Sequence, residues 1–193
     1  ELAGESSLDK RKRLAAALRA AGQEAAVITQ PDSLCWLMNL RGADVPRNPI
    51  LHGFAILQAD GGVTLYVAEA KLGPSARSAL DAAVTCRPVK DFATDLAGLA
   101  GKVRVDRTTA PLAVSQAIEG GRGGATVVWG DDPCRLPKAC KNATEIQGMR
   151  QAHLRDAAAD DDAQGDDQDD GQEGDDDGMV HGEKAGTGGS ARV

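Results

Sequence analysis

The sequence predicts an α/β domain built on a mixed sheet flanked by helices, and three observations predict it. Short apolar, strand-like runs alternate with helix-patterned segments from Asp9 to Trp129. Two of those runs, 53–58 and 63–67, are joined by Ala59-Asp60-Gly61-Gly62, a hairpin signal, so the sheet holds at least one antiparallel pair. Charge is divided sharply: residues 1–159 carry 17 acidic and 20 basic side chains, and residues 160–193 carry 12 acidic and 2 basic. All five aromatics lie in the first part, which is long enough for a core of its own. The second part has almost no large apolar residue and a high net charge, so it cannot offset its chain entropy and is expected to be a disordered acidic tail.

Each element follows from local pattern. Residues 9–21 read as a helix, with Leu14, Leu18 and Ala21 on one face, Ser7 or Asp9 as cap and Gly22 as stop. Its basic run Lys10-Arg11-Lys12-Arg13 is assigned to the solvated side. Residues 25–29 form a short buried strand, Pro31-Asp32-Ser33 a turn and cap, and 34–39 a short helix. Strands at 53–58 and 63–67 follow. Residues 74–83 are helical with Pro74 in the first turn, 84–89 a weaker strand and 91–100 a helix. Next come a strand at 102–105, a helix at 110–119 opened by Pro111, and a strand at 125–129. Gly120-Gly121-Arg122-Gly123-Gly124 leads out of a helix into a strand, the reverse of a phosphate loop, and reads as a simple flexible turn. Asn142-Ala143-Thr144-Glu145 fits a capping box ahead of a helix over 142–159, on which Ile146, Met149, Ala152 and His153 recur at helical spacing. Asn142 also opens a glycosylation sequon, which its use as a cap argues against.

The chain is organised around residues 33–49. An apolar segment breaks at Arg41-Gly42 into a loop that combines Arg41, Asp44 and Arg47 with Pro46 and Pro49. Proline fixes φ and pushes the preceding residue towards extended backbone, so the loop is stiff and its polar groups are pinned. That suits a binding edge, and it suits a packing loop equally.

Several function classes find no support. No apolar run approaches the ~18 residues of a membrane span, and no apolar signal segment opens the chain. No second basic patch or aromatic platform accompanies the Lys10–Arg13 run, so nucleic acid is not an expected partner. The four cysteines are scattered, and Cys134-x5-Cys140 is not a usual zinc spacing. They read as reduced thiols in a cytoplasmic protein, with a Cys134–Cys140 disulfide as the alternative. The three histidines, His52, His153 and His181, are far apart, and no cluster of metal ligands sits on rigid elements. One tail register, Asp166 to Asp177, roughly imitates a calcium loop but lacks its closing Glu and flanking helices. No nucleophile elbow or phosphate loop is present.

Two stretches carry a resemblance. Trp36-Leu37-Met38-Asn39-Leu40-Arg41-Gly42-Ala43-Asp44-Val45-Pro46-Arg47-Asn48-Pro49 resembles the signature of the middle domain of three-domain Xaa-Pro aminopeptidases (aminopeptidase P). The run from Pro137 through Lys141-Asn142-Ala143-Thr144-Glu145 and Gly148-Met149-Arg150 to His153-Leu154-Arg155-Asp156 resembles the join into that family's catalytic domain. Their order and separation also match, over about residues 5–159.

The resemblance implies a creatinase/aminopeptidase P N-terminal-domain-like fold for 1–137. It implies that 138–159 are the linker and first helix of a missing pita-bread catalytic domain; at the acidic tail, 160–193, the sequence departs from the family's pattern. In the family that catalytic domain holds two divalent metals, commonly manganese, which activate water against the peptide bond before proline. Those ligands lie downstream, so no residue here inherits a catalytic or metal-binding role and no cofactor is expected in this chain. What carries over is an edge: Arg41, Asp44, Arg47 and Asn48 are the candidates for contact with the substrate path or the catalytic domain, or Arg41 and Asp44 simply pair to hold the loop. The expected partner is the catalytic domain. The apolar face of the last helix, left without it, invites self-association into a homo-oligomer. The abrupt turn into the tail reads as a truncation or frame change. A stand-alone, non-catalytic interaction module with an acidic tail is the alternative, and a small-molecule site beside the 41–49 loop is a third reading.

Overall fold

The computed structural model describes residues 3–165. The chain divides into two units, Glu1–Met149 and Arg150–Val193. The first holds a six-stranded sheet in the order β4-β3-β2-β1-β5-β6. The strands are β1 Ala25–Ile28, β2 Phe54–Gln58, β3 Val63–Tyr66, β4 Val84–Arg87, β5 Lys102–Val105 and β6 Thr126–Trp129. The hairpin is present: β2 pairs antiparallel with β3 (Phe54 opposite Tyr66) and with β1 (Ile28 opposite Ala55). The β1–β5, β5–β6 and β3–β4 pairs are parallel. Thus β2 alone runs against the other five, and the mixed sheet expected from the sequence is the one observed.

Helices cover both faces. The helices of the described residues are α1 Ser7–Ala20, α2 Pro31–Met38, α3 Pro74–Ser78, α4 Phe92–Ala97, α5 Leu112–Glu119, α6 Arg135–Ala139 and α7 Ala143–Gly165. All four residues of β1 are buried because successive side chains leave on opposite faces and both faces are covered. Ala26 and Ile28 join Leu14, Leu18, Leu34 and Leu37 in one core. Ala25 and Val27 join Phe92, Leu96, Val114 and Ile118 in the other. Phe54 stacks on Phe92 with ring centroids 4.6 Å apart, and Tyr66 tilts against Phe92 while its hydroxyl donates to Asp95 (2.6 Å).

Several local expectations are corrected. The cap of α1 is Ser6, whose hydroxyl accepts from the Asp9 N–H (3.0 Å). The basic run does not lie wholly on the solvated side. Lys10 and Arg11 are 1% and 0% exposed, because they fall three to four residues before Leu14 and Ala15 on the same helix face. The Lys10 ammonium donates to the Trp36 carbonyl (3.0 Å) and Asn39 Oδ1 (2.6 Å) and lies over the Trp36 ring, while burial lowers its pKa. The Arg11 guanidinium donates to the Gly61 carbonyl (3.0 Å) and pairs with Asp81, tying the hairpin turn and the approach to β4 to α1.

The segment after Pro74 is helical only to Ser78, and β4 ends at Arg87, ahead of Pro88. The glycine segment 120–124 is not a loose turn. Gly121 and Gly123 press on the end of α4, and the Gly123 N–H donates to the Ala97 carbonyl (3.0 Å).

The capping box at α7 is reciprocal. Asn142 Oδ1 accepts from the Glu145 N–H and Glu145 Oε2 accepts from the Asn142 N–H, both at 2.9 Å. The helix runs on to Gly165, past the boundary expected at 159, because no helix breaker stands between Gly148 and Gly165 and alanine is frequent there. The rest of the acidic tail, with its calcium-like register and His181, lies outside the described residues. Ile146 and Met149 are 40% and 50% exposed, as expected of an apolar face without its cover.

Candidate functional site

The loop that follows α2 is built to be stiff. Asn39 closes α2 in the left-handed region (φ 52°), and its side-chain amide donates to the Glu5 carbonyl (2.9 Å). The two arms of the loop are laced by Gly42 N–H to the Pro49 carbonyl (3.3 Å) and Asp44 N–H to the Ile50 carbonyl (3.1 Å). Gly42 is required there: a Cβ would stand 2.6 Å from the Ile50 carbonyl oxygen. At the tip Val45 and Asn48 form a bridge, and the Asn48 N–H donates to the Val45 carbonyl (3.1 Å). Pro46 at the first corner and a positive φ at the second make this the type II pattern, in which glycine normally fills the second corner. Here Arg47 fills it, at φ 61°. At its base the loop is tied to α2, the Leu51 N–H donating to Cys35 Sγ (3.2 Å).

The charges are distributed unevenly. Asp44 Oδ2 accepts from Lys71 Nζ (2.7 Å) and from the His52 backbone N–H (2.6 Å), and these two contacts lower its pKa. The alternative that Arg41 pairs with Asp44 is therefore not what holds the loop; Lys71 is the partner. Lys71 lies 27 residues downstream, and nothing in the spacing marked it. Arg41, Arg47 and Asn48 are exposed, and neither guanidinium forms an ion pair or a side-chain hydrogen bond with any described residue. The four candidate residues are thus brought together on one ledge, with the carboxylate neutralised and two guanidiniums facing outward. Such a ledge offers donors to carboxylates and carbonyl oxygens. It carries no nucleophile poised beside a base.

Two surface cavities, of about 640 and 300 Å3, lie at α1 and α6, and no residue of the 41–52 loop lines them. A small-molecule site beside that loop gains no support from either. The cysteines are all free, so the Cys134–Cys140 disulfide is absent. Among the described residues no group of three His, Cys, Asp or Glu side chains could hold a metal ion, and no helix is long and apolar enough to cross a membrane.

Residues 1–145 match the Creatinase/Prolidase N-terminal domain model. The chain is 36% identical over 163 residues to a protein of Laccaria bicolor named probable Xaa-Pro aminopeptidase P, a match covering 81% of this chain and 24% of that one. It is 31% identical over 160 residues to Xaa-Pro aminopeptidase 1 of Dictyostelium discoideum, again covering 81% and 24%. Among solved structures it is similar to the X-prolyl aminopeptidase of Caenorhabditis elegans, a cytosolic enzyme with a di-nuclear active site. There the TM-score is 0.70 and the identity 26%, over 81% of this chain and 26% of that one. The chain therefore spans about a quarter of the length of these relatives.

Proposed function

We propose, from the premise that this chain belongs to the creatinase/prolidase N-terminal domain family, that it is the non-catalytic module of a longer Xaa-Pro aminopeptidase. The parent reaction is removal of the N-terminal residue that precedes proline. The module packs on a catalytic domain and presents the 41–48 ledge to the substrate path. One observation supports this reading most directly: a stiff loop whose only carboxylate is held by Lys71 leaves Arg41 and Arg47 exposed and without an ion pair among the described residues. Metal chemistry is assigned to the catalytic domain, with manganese as the expected ion, because the described residues do not fit a metal pair. No step of the reaction is placed in this chain. A cytosolic setting is part of the proposal and is supported by the C. elegans relative.

A chimera tests the reading. Residues 1–149 replace the matching segment of the L. bicolor relative, and hydrolysis of an Xaa-Pro peptide is followed. The chimera is expected to cleave the peptide. Arg47→Gly should raise thermal stability, because it relieves about 0.5–1 kcal/mol of left-handed strain. It should nonetheless lower kcat/KM, and Arg41→Ala should do the same without moving Tm. Together the two changes should cost about tenfold in kcat/KM, the size expected for losing charged hydrogen bonds. An unchanged kcat/KM in the double variant contradicts the assignment.

A further inference from the structure

The larger cavity lies apart from the 41–48 ledge, no residue of which lines it. It lies between α1, the carboxyl ends of β5 and β6, and α6, with Leu14, Leu136 and Pro137 on its apolar walls. Its volume of about 640 Å3 falls in the range of ligand pockets. Three guanidiniums line it, and they differ. Arg13 is held by Glu5 through contacts of 2.8–3.2 Å, and Arg135 is loosely paired with Asp131 at 3.7 Å. Arg104 has no ion pair or hydrogen bond among the described residues, and its Nε is shut off from solvent without an acceptor.

Arg104 is aimed by the sheet. Val103 and Val105 face the α4–α5 core, so the residue between them faces the α1 side. Its guanidinium packs on Gly130, where a Cβ would stand 3.2 Å from Nε. At the same cavity Asp132 is 5% exposed. Its Oδ1 accepts from the Cys134 N–H (2.7 Å), and burial raises its pKa against the opposing hydrogen bonds of the Cys134 N–H, the Ser33 hydroxyl and the Cys134 thiol. A partly buried guanidinium on an apolar cavity wall, without a partner among the described residues, is costly unless something brings it an anion.

We propose that this cavity binds a short peptide with a free C-terminal carboxylate and an apolar side chain. The carboxylate sits on Arg104, and the side chain lies against Leu14, Leu136 and Pro137. This site is separate from the 41–48 ledge and stands whether or not the ledge faces a substrate.

The test uses the full chain and three probes: the dipeptide Ala-Leu, its N-acetyl form and its C-terminal amide. Amide and arginine side-chain NMR signals are followed during titration. Ala-Leu and the N-acetyl form are expected to shift the Arg104 Nε–Hε and Gly130 N–H signals at millimolar concentration, and the amide should bind about tenfold more weakly. Arg104→Met should abolish the preference for the acid over the amide without lowering Tm, because it removes an unpaired charge. Leu136→Asp, at a side chain 72% exposed and so not needed for folding, should weaken all three probes. The proposal is overturned if Ala-Leu leaves the Arg104 signal unmoved, if acid and amide bind equally, or if Arg104→Met binds the acid as wild type does.

Discussion

Gly123→Ala is expected to destabilise the domain by about 3 kcal/mol, the largest effect of any single methyl group considered, and to lower Tm by about 10 °C. The reason is a backbone approach rather than a backbone angle. A Cβ at Gly123 would stand 1.9 Å from the Leu99 carbonyl oxygen and 2.5 Å from that of Gly98. Neither is the tip of a flexible side chain, so the loop must lift off the end of α4 and give up the Gly123 N–H bond to the Ala97 carbonyl. Gly124 provides the control. Its φ is +72° with open space around it, so alanine there should cost only about 1 kcal/mol of conformational strain. Denaturant melts of the two variants check the order. A Gly123→Ala protein within about 1 kcal/mol of wild type would contradict the packing described.

Asp106→Ala is expected to cost nearly as much, about 2–3 kcal/mol, because two N–H groups lose their acceptor at once. Asp106 directly follows β5 and is 4% exposed. It accepts from the Thr108 N–H and hydroxyl (both 2.7 Å) and from the Asp132 N–H (2.9 Å), stitching β5 to the loop that leads into α6. Burial by itself would raise the carboxyl, but the Thr108 and Asp132 bonds outweigh it and hold the pKa below the ordinary aspartate value. The sign of the pH effect follows. With the folded pKa lowered, this stabilisation is present above the unfolded aspartate pKa, about 3.9, and is lost as pH falls through the folded value. Wild type should therefore lose stability in acid more steeply than Asp106→Asn, which has no carboxyl to protonate there. Parallel acid curves for the two would remove Asp106 from the account.

Much of the fold could be read from pattern. The 59–62 turn announced the β2–β3 hairpin, the unbroken apolar run at 25–28 announced a strand covered on both faces, and Asn142 with Glu145 announced the cap of α7. What escaped depended on partners distant in sequence. Lys10 and Arg11 looked solvated because charge outweighed spacing; the 10, 11, 14, 15, 18 series was the available signal. The tightness of Gly121 and Gly123 depends on where α4 ends, which no local rule states. At the ledge, the motif placed Arg41, Asp44, Arg47 and Asn48 together, but not the Lys71 that takes the carboxylate. Arg104 was invisible as a site residue, since an arginine in a strand reads as an edge or surface residue until β6 and α6 close over it.

The proposal that this polypeptide guides or docks, with cleavage assigned to a catalytic domain, has a direct test. The purified chain, supplied with manganese, is incubated with an Xaa-Pro peptide, and release of the N-terminal amino acid is compared with a metal-only blank. The account predicts no release above the blank. Turnover that scales with protein and is abolished by a chelator would contradict it.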